Sequence, residues 1–357
     1  MTVIIFLIVL GVLIFVHELG HFLVARACGI RVDAFALGFG PKIFSKTVGE
    51  TTYSLNIIPF GGYVRIFGEN PDYESINGED KERSFVHKNK IQQILVLFAG
   101  IAFNFIFAFL LTIYAFSSGV LASIDSYPEY KTNIVDQHIA VTFVNKGSPA
   151  EKAGLKAGDK LIAESVESLQ MKINESETKG IEIPYIRNGQ ESKVNVIAQQ
   201  GIVEGKYAIG IAMDNVGTLK LPFFKAIVEA LRFTLHMITM TIQGIYDLII
   251  GIFNGTSHIS SVTGPVGIAG LVGDAAKIGF TYLVMFTAMI SINLGVLNLV
   301  PFPALDGGRI LFVLIEAIIR RPIKPAIANT INIAGFGVLI VLMLFITYRD
   351  IVQLFVK

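Results

Sequence analysis

Charged side chains are missing from long stretches of the chain, among them residues 1–16, 91–124, 278–305 and 326–348. A helix of about 20 apolar residues crosses the roughly 30 Å hydrocarbon core of a bilayer. Inside lipid only a helix or a closed barrel satisfies its own backbone polar groups. Three of the four stretches reach that length outright. The first reaches it if the helix runs on through His17, Glu18 and His21. The pattern predicts a polytopic α-helical membrane protein of about four transmembrane helices, over 1–26, 91–121, 280–308 and 326–348. The first reads as a retained span rather than a signal peptide. No Lys or Arg precedes its apolar run, and Val16-His17-Glu18 stands where a small-residue cleavage site belongs.

The segments between the spans differ in character. Residues 27–90 are polar and read as a loop or hairpin region. Residues 125–217 read as an inserted α+β domain: Val141 to Val144 alternate as a strand does, and Ser148-Pro149 opens a short helix that Gly154 ends. In 221–253, Lys225, Glu229, Arg232, His236, Gln243 and Asp247 share one helical stripe among Phe, Ile, Leu and Met. That stripe predicts an amphipathic helix lying at the membrane interface. The competing reading is a fifth span, which would reverse the topology that follows. Basic residues crowd the short connections 26–90 and 301–325, which the positive-inside rule assigns to the cytoplasm. The 125–217 domain and both termini are then extracytoplasmic.

Composition agrees: 53% of residues are hydrophobic and 16% charged, against about 25% charged in an ordinary soluble domain. A net charge of +1 gives no case for a nucleic-acid partner. Cys28 is the only cysteine, so no intramolecular disulfide forms.

The chemistry lies in His17-Glu18-Leu19-Gly20-His21. On a helix, two histidines four apart stack on one face and grip one metal ion, and the adjacent Glu serves as a base. Ionisable groups at the end of an apolar span are costly unless they face protein, water or a metal, and are functional by default. A catalytic zinc needs a third protein ligand and an open position for water. The metzincin third His would fall at Ala27, and the nearest downstream glutamate, Glu50, sits in a polar Gly- and Pro-rich stretch, so soluble-protease templates fail. Asp306 closes the third span in Asn298-Leu-Val-Pro-Phe-Pro-Ala-Leu-Asp306-Gly-Gly, on the predicted side of His17 and His21. Its prolines and glycines break a helix, and such backbone at membrane depth lines protein or a wet cavity. Asp306 is either an Asp-Gly turn or the third ligand; beside a histidine pair lacking one, ligation is favoured. His87, His138, His236 and His258 read as surface or interfacial residues.

The paired motifs resemble the site-2 protease family of intramembrane metalloproteases, most closely its bacterial RseP-like branch. Gly38-Phe-Gly-Pro41, Tyr53 to Val64 and Gly264-Pro-Val-Gly-Ile268 agree with that branch, so the resemblance covers nearly the whole chain. It implies one Zn2+ per chain held by His17, His21 and Asp306, with Glu18 as catalytic base. It also implies that Asn298 positions substrate or stabilises the oxyanion. The inserted domain resembles a single bacterial PDZ domain, implying a groove for peptide or protein chain ends, or a size filter. The Tyr53–Val64 segment, with Asn56, Gly61 and Gly62, is implied to pair with substrate as an added strand. Substrates would be membrane-anchored proteins cleaved in or near their spans, such as anti-sigma factors or remnant signal peptides, in a bacterial cytoplasmic (inner) membrane. A different class, a non-catalytic PDZ scaffold with a structural zinc, is disfavoured by Glu18, since a structural site needs no base. A metal transporter would want ionisable groups spread through its spans.

Overall fold

The computed structural model describes residues 1–187, 189–203, 205–255 and 263–355; His258 lies outside them. The chain forms two compact units, one from Met1–Tyr114 together with the chain from Ile227 onward, the other Ala115–Ala226. In chain order, α1 (Thr2–Ala27) leads into a long hairpin, β1 (Val32–Val48) and β2 (Thr51–Ile66). A short α2 (Tyr73–Asn77) precedes α3 (Lys90–Ser118). The second unit holds β3 (Val120–Ser123), β4 (Ile134–Val144), α4 (Pro149–Lys152), β5 (Lys160–Leu161) and α5 (Val166–Glu175). It continues through β6 (Ile181–Arg187), β7 (Gln190–Val196), β8 (Gln199–Val203), β9 (Lys206–Ala208) and β10 (Ile211–Leu219). Then follow α6 (Phe223–Asn254), α7 (Pro265–Ile278), α8 (Phe280–Leu299), α9 (Asp306–Ile319) and α10 (Pro325–Phe355).

Among the described residues five helices are long and apolar enough to cross a membrane: α1, α3, α6, α8 and most of α10. Four of them cover the four uncharged stretches. The fifth, α6, packs Met237, Ile238 and Ile245 onto Ala108 of α3 and Ala288 and Ile292 of α8. Thr241 also donates to Asn293 Oδ1 at 2.8 Å. The middle of α6 therefore lies beside the C-terminal half of α8. Two differences from the expected bounds concern the third span. Its helix ends at Leu299 rather than near 308, because Pro301 and Pro303 cannot continue it. Asp306 therefore opens a separate helix, α9, instead of closing α8. A Cβ on Gly307 would stand 2.3 Å from the Leu299 carbonyl oxygen, and one on Gly308 2.2 Å from that of Phe302. Only glycines let α9 fold back so closely on the turn that feeds it.

The hairpin is more folded than two strands. Ala34–Leu37 pair with Gly62–Arg65 on one side and Thr52–Leu55 on the other, while Phe44–Val48 also pair with Thr51–Leu55. The doubling back turns at Gly38, where a φ of +80° and an added Cβ falling 2.5 Å from the Ile58 carbonyl oxygen exclude a side chain. Gly62–Ile66 is thereby an outer edge of the ribbon. Phe22, Ala25, Ile30, Val32, Phe35, Ile66, Val96 and Leu97 bind its inner half to α1 and α3.

The second unit has a six-stranded sheet in the order β3-β10-β4-β5-β6-β7 and a small β8-β9 ribbon. Ile139, Val141, Leu155, Leu161, Leu169, Ile173 and Ile183 fill its core. Ser148 caps α4 through Glu151 N–H, and Gly154 at φ +91° follows that helix. Arg187 grips the buried Asp159 through both carboxylate oxygens at 2.6 Å.

Candidate metal centre

His17 and His21 lie one turn apart near the end of α1, on the face that packs against α3. The approach is close because Gly20 is there: a Cβ on it would stand 2.5 Å from the Ala99 carbonyl oxygen. The matching gap on α3 is Gly100, whose added Cβ would fall 2.4 Å from His21 Nε2 and 2.9 Å from His17 Nε2. Small residues at a helix interface in a membrane let backbones approach, and here the space so gained holds the two imidazoles. Replacing Gly20 by Leu is expected to push α1 off α3. The overpacking should cost about 1–3 kcal/mol, with zinc content falling well below that of the parent protein. Thermal unfolding and metal analysis of the purified variant check both.

The imidazoles converge on Asp306. His17 Nε2 and His21 Nε2 are 3.2 Å apart and lie 3.1 and 3.3 Å from Asp306 Oδ2. Three ligand atoms on a tetrahedral ion at about 2.0 Å are spaced about 3.3 Å from one another, so this triangle fits one face of a zinc site. Asp306 Oδ2 is buried yet accepts no well-formed hydrogen bond, the state of an oxygen suited to a metal. His21 Nδ1 lies 2.8 Å from the Val96 carbonyl oxygen and donates to it, which leaves Nε2 free to ligate. Two nitrogens and one hard oxygen are a catalytic zinc donor set with a position left for water.

Glu18 lies on the same turn and lines a cavity of about 680 Å³ with His17, His21 and Asp306. The far wall is the outer edge of β2, from Gly62 to Ile66. Gly62 packs against Glu18, its Cβ position being 3.4 Å from Glu18 Cγ. Gly61, at φ +90°, makes the turn before it and abuts the Phe39 ring. Asn56 points elsewhere: it is buried in the hairpin and donates to the Gly38 carbonyl at 2.9 Å. Asn298 is half-buried on the last turn of α8 and is not among the described residues lining the cavity. Glu50 is occupied at the hairpin turn by Arg83, whose guanidinium holds its carboxyl below the usual range. His87 bonds the Ile76 carbonyl, His138 that of Asp136, and His236 is exposed.

Sequence reasoning passed over four groups here: the Val96 carbonyl, Gly100, Asn104, and the ion pair of Arg309 with Glu69 beside the cavity. Asn104 had a signal, an amide in the middle of an uncharged apolar span. The other three had none, since a carbonyl is common to every residue and the pair joins positions far apart in the chain.

The profile described as Peptidase family M50 matches residues 5–342. A relative from Clostridium perfringens, bearing the name "Putative zinc metalloprotease", is 34% identical over 359 residues, spanning 99% of both chains. A Fusobacterium nucleatum protein of the same designation is 33% identical over 367 residues, spanning 99% of this chain and all of the relative. One from Clostridium acetobutylicum is 32% identical over 362 residues, 98% of this chain and 97% of its own. With a profile match along nearly its whole length and relatives alike from end to end, the chain belongs to peptidase family M50, the site-2-type proteases, and is a zinc metalloprotease integral to a membrane.

Proposed function

We propose that the protein hydrolyses a peptide bond within or near the transmembrane segment of membrane-anchored substrates, with His17, His21 and Asp306 holding zinc and Glu18 as general base. The observation that carries this is the triangle of three ligand atoms with Glu18 on the wall of the same cavity. Zinc held there would lower the pKa of water toward roughly 7 and polarise the scissile carbonyl. Glu18 takes the proton from the attacking water on a carboxylate oxygen and delivers it to the departing amine nitrogen. A helical substrate hides its peptide bonds behind internal hydrogen bonds, so it must unwind locally. The outer edge of β2, running past Glu18 at Gly62, offers an unwound segment the backbone partners it lost. By its distance from the cavity lining, Asn56 would act by fixing that ribbon, and Asn298 by holding the end of α8 from which the Asp306 turn departs.

Several contacts support a topology with the centre toward the cytoplasm and no net crossing between α3 and α8. The centre lies at the C-terminal end of α1 and, through Asp306, just beyond that of α8, so these two helices run in the same sense. Gly273 near the end of α7 packs on Thr2 at the start of α1, and Gly267 at its beginning donates to Asp350 near the end of α10 at 2.9 Å. Both ends of α7 thus belong to the face where α1 begins and α10 ends, which on the basic-residue bias is extracytoplasmic. A lone crossing by α6 would leave α7 and α8 on the wrong face. The α+β unit is read as a PDZ-like domain on that outer face, selecting chain ends or excluding bulky proteins. Anti-sigma factors and remnant signal peptides in a bacterial inner membrane fit as substrates.

The test is reconstitution into liposomes with a tagged single-span substrate, followed by mass-spectrometric mapping of the cut. Cleavage inside the apolar segment, stopped by a zinc chelator and restored by added zinc, is expected. Cleavage confined to a soluble flank would exclude intramembrane hydrolysis, and cleavage undiminished in chelator would exclude zinc dependence.

A further inference from the structure

We propose that Asn104 is a positioning residue for His17: its amide oxygen accepts the Nδ1 proton of that imidazole and holds the ring in the form that ligates zinc through Nε2. This rests on the ligand set proposed above. A neutral imidazole carries one proton, so a ring that ligates through Nε2 must bear it on Nδ1 and needs an acceptor there. His21 has the Val96 carbonyl. At His17 the neighbour is the Asn104 side chain, whose amide nitrogen stands 3.1 Å from Nδ1 while its Oδ1 is buried with no hydrogen bond. In that orientation the amide donates into Nδ1 and drives the proton to Nε2, where it blocks ligation and points at Asp306. Turning the amide by 180° brings Oδ1 to Nδ1 with little change of shape, which both gives the orphaned oxygen a partner and frees Nε2.

The placement is built into α3. Val96, Gly100 and Asn104 recur at intervals of four and form one stripe, which α1 meets in reverse order. Val96 serves His21, Gly100 makes room for both rings, and Asn104 serves His17. Asn104 is fully buried, and its backbone carbonyl accepts from Ser291 Oγ of α8 at 2.8 Å, so three helices fix its position. An amide costs free energy in an apolar span unless its polar atoms are used, and the imidazole is the partner this one meets.

The experiment compares zinc affinity, by chelator competition, and the visible absorption of the cobalt-loaded protein for full-length detergent-purified variants. Asn104→Leu is expected to weaken zinc binding about 10–100-fold, the usual effect of losing an outer partner of a metal-bound histidine, and to alter the cobalt spectrum. Asn104→Asp keeps an acceptor in reach and should restore both to within a few-fold of the parent. His17→Ala is the control for the ligand set: if it binds zinc like the parent, His17 is no ligand and the reading beneath this one fails. If His17→Ala loses zinc but Asn104→Leu binds it normally, only the role of Asn104 is overturned. Equal loss in the Leu and Asp variants overturns it too, since any structural damage would then be the cause. Should Asn104→Leu not fold, Asn104→Ser, whose hydroxyl falls short of Nδ1, replaces it; affinity equal to that of Asn104→Asp overturns the proposal.

Discussion

Glu18→Gln is expected to reduce peptide hydrolysis by on the order of 10²- to 10⁴-fold, the span usual for removing a general base, while zinc stays at the parental content. The amide has nearly the shape of the carboxyl, so its packing against Gly62 and the cavity wall survives. What is lost is the site that receives the proton of the attacking water. Glu18 is not one of the three groups whose ligand atoms cluster, so the donor set is intact in the variant. Cleavage of the reconstituted substrate and zinc content, measured on the same preparation, separate the cases. Zinc retained with activity lost assigns the base. Undiminished cleavage would show that another group moves the proton, and Glu69, ion-paired with Arg309 beside the cavity, would be examined next.

Much of this was legible in the sequence because membrane insertion makes its demands locally. The uncharged stretches 1–16, 91–124, 278–305 and 326–348 each fall largely on a long apolar helix, and an ionisable pentapeptide at the end of one of them marked the centre. Asp306 was legible by a different route, as a carboxylate after a forced helix break on the same predicted side. That α9 begins there was not legible, since Gly307 and Gly308 read as a helix stop unless the carbonyls they pack against are known. For α6 the polar stripe predicted an amphipathic helix; that its Thr241 meets Asn293 of α8 was not legible, since neither segment alone carries a signal for the contact. The β1–β2 ribbon was legible as a hairpin; its doubling back depends on Gly38 and on pairing that neither strand records by itself. Asn56 shows the limit of motif reading, since its place in a motif bordering the centre says nothing of the Gly38 carbonyl it faces.

Asp306→Ala is expected to lower zinc affinity by more than the 10–100-fold that an outer partner is worth, and to abolish activity with it. Two readings of this residue give opposite results. As the first residue of α9, an aspartate stabilises the helix dipole by about 0.3–1 kcal/mol; were that its role, the variant would lose a little stability with or without metal and bind zinc normally. As a ligand its contribution depends on the metal. Its Oδ2 lies 3.1 and 3.3 Å from the two imidazole Nε2 atoms, the spacing from which one ion can hold all three. A ligand at 100 to 1,000 times its dissociation constant adds about 2.7 to 4.1 kcal/mol to the folded state. The parent should therefore melt at a clearly higher temperature with zinc than with chelator, and in Asp306→Ala that difference should vanish. A variant that keeps the zinc-dependent shift in melting temperature would remove Asp306 from the ligand set and leave the two histidines in search of a third donor.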